Sequence, residues 1–78
     1  MKIDQMIDLR GVSCPLNYVM TKLRLEKMRE GDVLQVLLDD GDPVVHVPRS
    51  AKEEGHRILE VEQRGSYFMV LMRKRAEV

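Results

Sequence analysis

The fold is decided by residues 8–17, Asp-Leu-Arg-Gly-Val-Ser-Cys-Pro-Leu-Asn, where a strand is followed by a helix. Ile7 and Leu9, with Asp8 between them, alternate as in a half-buried strand, and Gly11 and Ser13 are typical of a loop. From Leu16 onward, apolar residues recur at helical spacing. The pattern therefore predicts a strand over residues 6–9 and a helix over residues 15–29, ended by Gly31.

Cys14, the only cysteine of the chain, lies at this junction. We expect Pro15 at the first helical position, which places the thiol at the N-cap. Free backbone N–H groups and the positive end of the helix dipole favour an anion there, and the thiolate is the nucleophilic form of cysteine. Position therefore favours a reactive thiol over a buried, inert one. Arg10 could add positive potential, or it could pair with a surface carboxylate.

Length, charge and cysteine content limit the possible classes of protein. The 78 residues predict one small domain over residues 1–78, with residues 74–78 as a frayed tail. Thirteen basic and thirteen acidic side chains balance, so a nucleic-acid or membrane surface is not indicated as the main partner. One cysteine excludes an intramolecular disulfide and a Cys-x-x-Cys pair. Without a visible signal peptide or an apolar span, we expect a soluble cytoplasmic protein.

The rest of the chain predicts three more strands and a second helix. Strands are expected over residues 33–38, 57–64 and 67–73, with Gly65-Ser66 as the hairpin turn between the last two. The second helix is expected to restart at Pro48, after a loose first turn, and to end before Gly55. The order β-α-β-α-β-β predicts an α/β two-layer sandwich, a four-stranded mixed sheet with two helices on one face. The other face would be partly open, and the last strand is apolar on both faces.

The first helix should turn one face to the core and the other to solvent. Leu16, Val19, Met20 and Leu23 have the spacing of a core-facing stripe. Tyr18, Lys22 and Leu25, with Arg29, then fall on the outer face next to Cys14. They form either a docking face for a partner protein or an ordinary solvated face.

The remaining polar residues do not predict a metal site. His46 and His56 have no ligand spacing relative to Cys14, and His56 is better explained as a structural hydrogen-bonding residue. Asp39, Asp40 and Asp42 are more typical of turn and cap chemistry than of a cation site.

The run Arg10-Gly11-x-x-Cys14-Pro15, with Asp8 and Leu9 before it, resembles the signature of the TusA/SirA-like sulfur-carrier family. Further similarities lie at residues 31–32, 39–40, 47–48 and 55–56, so the resemblance covers essentially the whole chain. It implies a sulfurtransferase or sulfur carrier that holds a persulfide on Cys14, with Pro15 as the motif proline.

The resemblance also implies the partners. The sulfur donor would be a cysteine desulfurase or a rhodanese-like protein, and the acceptor another carrier, for example of the DsrE type, with no cofactor or metal. The common family pattern is Cys-Pro-x-Pro, and this chain has Asn17 in place of the second proline. We expect that difference to affect the first helical turn and the choice of partner, and proline to be tolerated at position 17.

Two other functions are compatible with the residues. The chain could be a non-catalytic interaction or regulatory module in which Cys14 is incidental. It could also be a thiol-based redox sensor.

Overall fold

A four-stranded mixed sheet carries two helices on one face in the computed structural model, which describes residues 2–76. The elements follow the order β1 (Gln5–Asp8), α1 (Leu16–Glu26), β2 (Val33–Asp39), α2 (Asp42–Glu53), β3 (Arg57–Arg64) and β4 (Tyr67–Arg73). The predicted fold class is confirmed. Both strands of the closing hairpin have the predicted bounds, whereas α1 ends three residues earlier than expected.

The strands lie in the order β1-β2-β4-β3. β1 is parallel to β2, and β4 is antiparallel to both β2 and β3. The β1-α1-β2 unit therefore places the carboxyl ends of two strands at one edge of the sheet.

The main core fills the space between the sheet and the helices. From the sheet it takes Leu34, Val36, Leu38, Val70 and Met72, and from the helical layer Leu25, Met28, Val47 and Ala51. Leu9, directly after β1, is fully buried in the same cluster. The burial of Leu9 fixes the start of the loop that leads to Cys14.

A second, smaller cluster seals the outer face of the sheet. Val33, Met69 and Leu71 are only 3–7% exposed although no helix covers them. Paired residues of antiparallel strands share a face, and Leu71 is paired with Gln35 on one side and Glu60 on the other. The long side chains of these neighbours stand beside the apolar ones, so the outer face presents far less apolar surface than the sequence predicts.

The predicted orientation of α1 is wrong. Asn17, Thr21 and Leu25 are buried, whereas three members of the predicted core stripe are about half exposed: Leu16 54%, Val19 44% and Leu23 54%. The Thr21 hydroxyl donates to the Asn17 carbonyl oxygen at 2.9 Å, so it is buried with its hydrogen bond made. Two small polar residues thus occupy the inner face of α1, and larger apolar residues lie outside.

The predicted interruption of α2 at Pro48 is also wrong. The helix runs without a break from Asp42, with Pro43 in its first turn and Pro48 inside it. Gly41 adopts φ 95°, which allows the chain to turn directly from β2 into the helix. Val47 and Ala51 pack fully buried on both sides of Pro48 along one face, and this burial offsets the roughly 3 kcal/mol that an interior proline costs.

The segment after β4 is held at its start. The Lys74 amide donates to the Asp32 carbonyl oxygen at 2.8 Å, and Lys74 is buried. The Arg75 amide donates to His56 Nδ1 at 3.1 Å, which confirms the structural role expected for His56. The predicted fraying is therefore wrong for residues 74 and 75, and residues 77 and 78 lie outside the described residues.

Neither helix of the described chain has the length and hydropathy that crossing a bilayer needs.

We predict that two leucines of α1, two residues apart, differ sharply in their contribution to stability. Leu25→Ala should lower the free energy of unfolding by about 2–5 kcal/mol, because it empties a buried position. Leu23→Ala, the matched control, should change it by only about 0.5 kcal/mol. Urea unfolding followed by circular dichroism measures both values. Equal losses, or a larger loss for Leu23→Ala, would contradict the orientation of α1.

Candidate functional site

Two loops meet at the edge where β1 and β2 end. The Gly11 amide, in the loop after β1, donates to Asp39 Oδ2 at 2.7 Å. Gly11 has φ 82°, a backbone conformation that residues with a Cβ rarely adopt. An open cavity of about 480 Å³ lies between the loops, lined by Gly11, Val12, Ser13, Cys14, Asp39, Asp40, Asp42 and Pro43.

Cys14 is exposed at the rim of this cavity. The helix begins at Leu16 with Pro15 as its N-cap, so Cys14 lies one position further from α1 than the sequence predicted. The Cys14–Pro15 peptide bond is cis. The Asn17 amide donates to the Ser13 carbonyl oxygen at 3.0 Å, and the Val19 amide donates to the Pro15 carbonyl oxygen at 3.1 Å. The Asn17 amide is thus engaged by Ser13 rather than by the Cys14 sulfur.

Arg10 is paired with a carboxylate, the second of the two alternatives that the sequence left open. Its guanidinium donates twice to Asp8, from Nε at 3.0 Å and from Nη2 at 2.8 Å, and stacks 4.5 Å from the centre of the Tyr67 ring. These hydrogen bonds to Arg10 lower the pKa of Asp8 to about 2. Arg10 therefore fastens the beginning of the Cys14 loop to β1 and β4.

Three carboxylates lie on the side of the cavity opposite the Cys14 loop. Asp40 Oδ1 accepts from the Gly41 amide at 2.7 Å, which is the expected turn chemistry, whereas Asp39 accepts from Gly11 in the other loop. α2 has no side-chain cap, and Asp42 lies in its first turn. The sequence did not predict that these carboxylates share a cavity with Cys14. The signal was present, because parallel strands end at the same edge of a sheet.

Asn17 lies in the interior and not at the surface of the site. It is fully buried, and its Oδ1 accepts from the Tyr18 amide at 2.7 Å. Its Nδ2 has no hydrogen-bond partner among the described residues. Asn17 can therefore support the site by shaping the first turn of α1, three residues after Cys14.

The three residues predicted to dock a partner do not form one exposed face. Leu25 is 1% exposed and belongs to the main core, so its predicted exposure is wrong. The Tyr18 hydroxyl donates to Glu54, the C-cap of α2. Burial, followed by this hydrogen bond, raises the Tyr18 pKa. The same hydrogen bond lowers the pKa of Glu54. Lys22 pairs with Glu54 at 3.6 Å, so Tyr18 and Lys22 join the two helices, and a docking role for them stays a prediction.

The surface beside Cys14 on the α1 side is instead apolar with a basic border. Leu16, Val19 and Leu23 follow one another along the outside of α1. A shallow groove of about 200 Å³ continues from them and is lined by Ile7, Met20, Leu23, Arg24 and Lys27. Within residues 2–76, no cluster of three or more histidine, cysteine or acidic side chains could hold a metal ion.

The fold and the exposed cysteine at a strand–helix junction define a small α/β thiol protein. The family model described as Sulfurtransferase TusA matches residues 5–74, and the chain belongs to the TusA family. The sulfur carrier protein TusA of Allochromatium vinosum is 34% identical over 71 residues, which cover 91% of this chain and 93% of that protein. An Archaeoglobus fulgidus protein named "Putative sulfur carrier protein" is 40% identical over 73 residues, 92% of this chain and 83% of the relative.

A solved structure shares the fold. The crystal structure of the SirA-like protein from Desulfitobacterium hafniense superposes with a TM-score of 0.77 at 24% identity, covering 91% of this chain and 97% of that one. This likeness agrees with the predicted two-layer α/β sandwich.

We predict that the low pKa of Asp8 depends on Arg10. In Arg10→Gln the Asp8 pKa should rise from about 2 toward the ordinary value of about 3.9. Because the folded-state pKa is the lower one, the contact stabilises the fold above about pH 4, and that stabilisation is lost as the pH falls through about 2. Carbon-13 NMR titration of the carboxyls measures it. Arg64→Gln, which removes the similar partner of Glu62, should leave Asp8 unchanged. An Asp8 pKa that stays near 2 without Arg10 would refute the assignment.

We also predict that the carboxylates of the cavity slow anionic reagents at Cys14. The ratio of iodoacetate to iodoacetamide alkylation rates should rise in Asp40→Asn and in Asp42→Asn at low salt, since each substitution removes a negative charge that repels the anionic reagent in the shared cavity. The ratio cancels any change in the fraction of thiolate. Glu60→Gln on β3 is the control. A ratio that is the same in all variants would show that these carboxylates do not act on the sulfur.

Proposed function

We propose that this chain, acting as one domain, is a sulfur carrier that accepts a sulfane sulfur as a persulfide on Cys14 and passes it to an acceptor protein. The observation that carries the proposal is the position of the chain's single cysteine, exposed at the rim of a cavity in a TusA-family fold. A relay needs a thiol that two different proteins can reach. Exposure at a loop between two elements meets that need.

The proposed reaction is two successive displacements at sulfur. The Cys14 thiolate attacks the terminal sulfur of a donor persulfide, so that a bond forms between this sulfur and Sγ and the donor's sulfur–sulfur bond breaks. The electron pair leaves with the donor thiolate. An acceptor thiolate then attacks the terminal sulfur on Cys14, which departs as the thiolate. Neither step changes the total oxidation state or needs a further reagent.

The cysteine content suits a carrier. A second thiol close to a persulfide could attack Sγ, form a disulfide and expel the sulfur as hydrosulfide. This chain has one cysteine, so that loss cannot occur within the molecule. The sulfur can then leave only by reaction with another molecule.

The supporting residues act on the position of the sulfur. Arg10 fastens the loop to Asp8 and Tyr67, and Pro15 and Asn17 fix the start of α1 behind Cys14. None of the three donates a hydrogen bond to the thiol within the described residues. We assign them positioning roles.

The partners follow from the same proposal. The donor is a protein persulfide of the cysteine desulfurase or rhodanese class, and the acceptor is a protein thiol, such as that of a DsrE-like carrier. A cytoplasmic location fits a thiol that must stay reduced between transfers. The negative cavity makes a protein donor a better match than a small anionic one such as free thiosulfate.

We predict that wild-type protein gains the mass of one sulfur atom and that Cys14→Ser does not. The donors are a cysteine desulfurase supplied with cysteine and a rhodanese loaded with thiosulfate, and intact-mass spectrometry is the measurement. A thiol reductant should remove the added mass. Ser13→Ala, which leaves the thiol in place, should load like the wild type.

The same assay separates the alternatives. Wild-type protein that stays unmodified with both donors would overturn the carrier proposal. If peroxide alone modified Cys14 under those conditions, the redox-sensor hypothesis would replace it.

A further inference from the structure

A second surface adjoins Cys14. Its side chains indicate the chemistry of the partner protein, provided that the chain is the carrier proposed above. We propose that the outer face of α1 docks a partner protein that presents apolar side chains bordered by carboxylates. We call this surface, formed by Leu16, Val19, Met20, Leu23, Arg24 and Lys27, the α1 outer face.

The exposed side of a helix in a soluble protein is normally polar, whereas the α1 outer face is apolar. Leu16, Val19 and Leu23 are each about half exposed and lie at i, i+3 and i+7, so they form one continuous stripe. The stripe begins two residues after Cys14 and extends about 10 Å along the helix, given a rise of 1.5 Å per residue. Three neighbouring half-exposed apolar side chains differ from the scattered single residues of an ordinary surface, and contiguous apolar patches are where partners bind when they are large enough.

Uncompensated positive charge borders the far end of the stripe. Arg24 and Lys27 line the groove beside Leu23. Arg24 donates to two uncharged oxygens, Gln5 Oε1 at 3.4 Å and the Met6 carbonyl oxygen at 3.2 Å. Among residues 2–76 neither cation forms an ion pair with a carboxylate, whereas Lys22, on the neighbouring side of α1, is paired with Glu54. Carboxylates on a partner would therefore find two cations that are not already held in an ion pair within the described residues.

The charge on the other side of Cys14 has the opposite sign, since Asp40 and Asp42 line the cavity there. A partner that places its own sulfur at Cys14 can match both signs in only one orientation, with its acidic side over α1. This charge complementarity defines the occupant. A second copy of this chain is the competing occupant, and the state of association in solution distinguishes it from a partner protein.

Disulfide exchange tests docking without any sulfane sulfur. Cys14 is converted to its mixed disulfide with thionitrobenzoate, and two helical peptides with an N-terminal cysteine and leucines along one face are compared. One peptide carries glutamates beside the leucines and the other lysines. Attack of the peptide thiolate on Cys14 Sγ releases coloured thionitrobenzoate. At low salt we expect the acidic peptide to react at least about fivefold faster, and we expect high salt to reduce the ratio.

Variants assign the preference to the α1 outer face. Arg24→Glu with Lys27→Glu should invert the ratio, and the milder Arg24→Gln with Lys27→Gln should bring it near one. Comparing variants cancels the intrinsic reactivity of each peptide. Arg49→Glu with Lys52→Glu on α2 makes the same charge change away from the face and should leave the ratio unchanged. Leu23→Ser should slow both peptides about threefold or more, whereas Val61→Ser, at a similarly exposed position on β3, should not.

Some results would overturn the proposal. These are equal rates for the two peptides with wild-type protein, a ratio that the α1 variants leave unchanged, or a wild-type dimer in sedimentation that Leu23→Ser dissociates. Circular dichroism confirms that each variant is folded, and the uncharged reagent β-mercaptoethanol should react equally with all of them. If the protein is loaded with persulfide but shows no preference between the peptides, only the docking surface is rejected. If it prefers the acidic peptide but is not loaded with persulfide, only the carrier function is rejected.

Discussion

The parallel pairing of β1 with β2 is the constraint on which the rest of the molecule depends. A parallel pair requires a crossover, and here the crossover is α1, so the helix that follows Cys14 must lie over the sheet. The same pairing brings the ends of both strands together, and the bond from the Gly11 amide to Asp39 joins the two loops there. The exposed cysteine, the acidic cavity and the start of α1 are all consequences of this one pairing.

Alternation and turn chemistry sufficed to predict the sheet. The hairpin of β3 and β4 has the expected bounds, because Gly65-Ser66 is a strong local turn signal between two runs of strand-forming residues. Helix faces were harder to predict, because the outcome depends on tertiary packing. α1 has two candidate stripes, and hydropathy favours the one with Leu16, Val19 and Leu23. The structure buries Asn17 and Thr21 instead. The Thr21 hydroxyl and Asn17 Oδ1 find partners inside the helix, and Tyr18 is anchored to the end of α2.

Pro48 is a second position where tertiary packing overrides a rule of local sequence. A local rule predicts a break, yet the buried contacts of Val47 and Ala51 on either side hold the helix together.

For the site, the motif identified the nucleophile and its place at the end of a strand. It could not reveal that Arg10 is held by Asp8 and Tyr67, since a cation–ring contact between the loop after β1 and the start of β4 depends on the order of strands in the finished sheet.

The separation of charge about Cys14 affects how partners approach over distance. The chain has no net charge, so at long range there is no overall attraction or repulsion between it and a charged protein. At physiological ionic strength, screening confines each patch to a Debye length of about 8 Å, well below the largest dimension of the molecule, 35 Å. An approaching protein therefore feels the acidic side or the basic side, but not both, until it is almost in contact. An acidic protein can therefore approach Cys14 from the α1 side, and a basic protein can approach it from the cavity side.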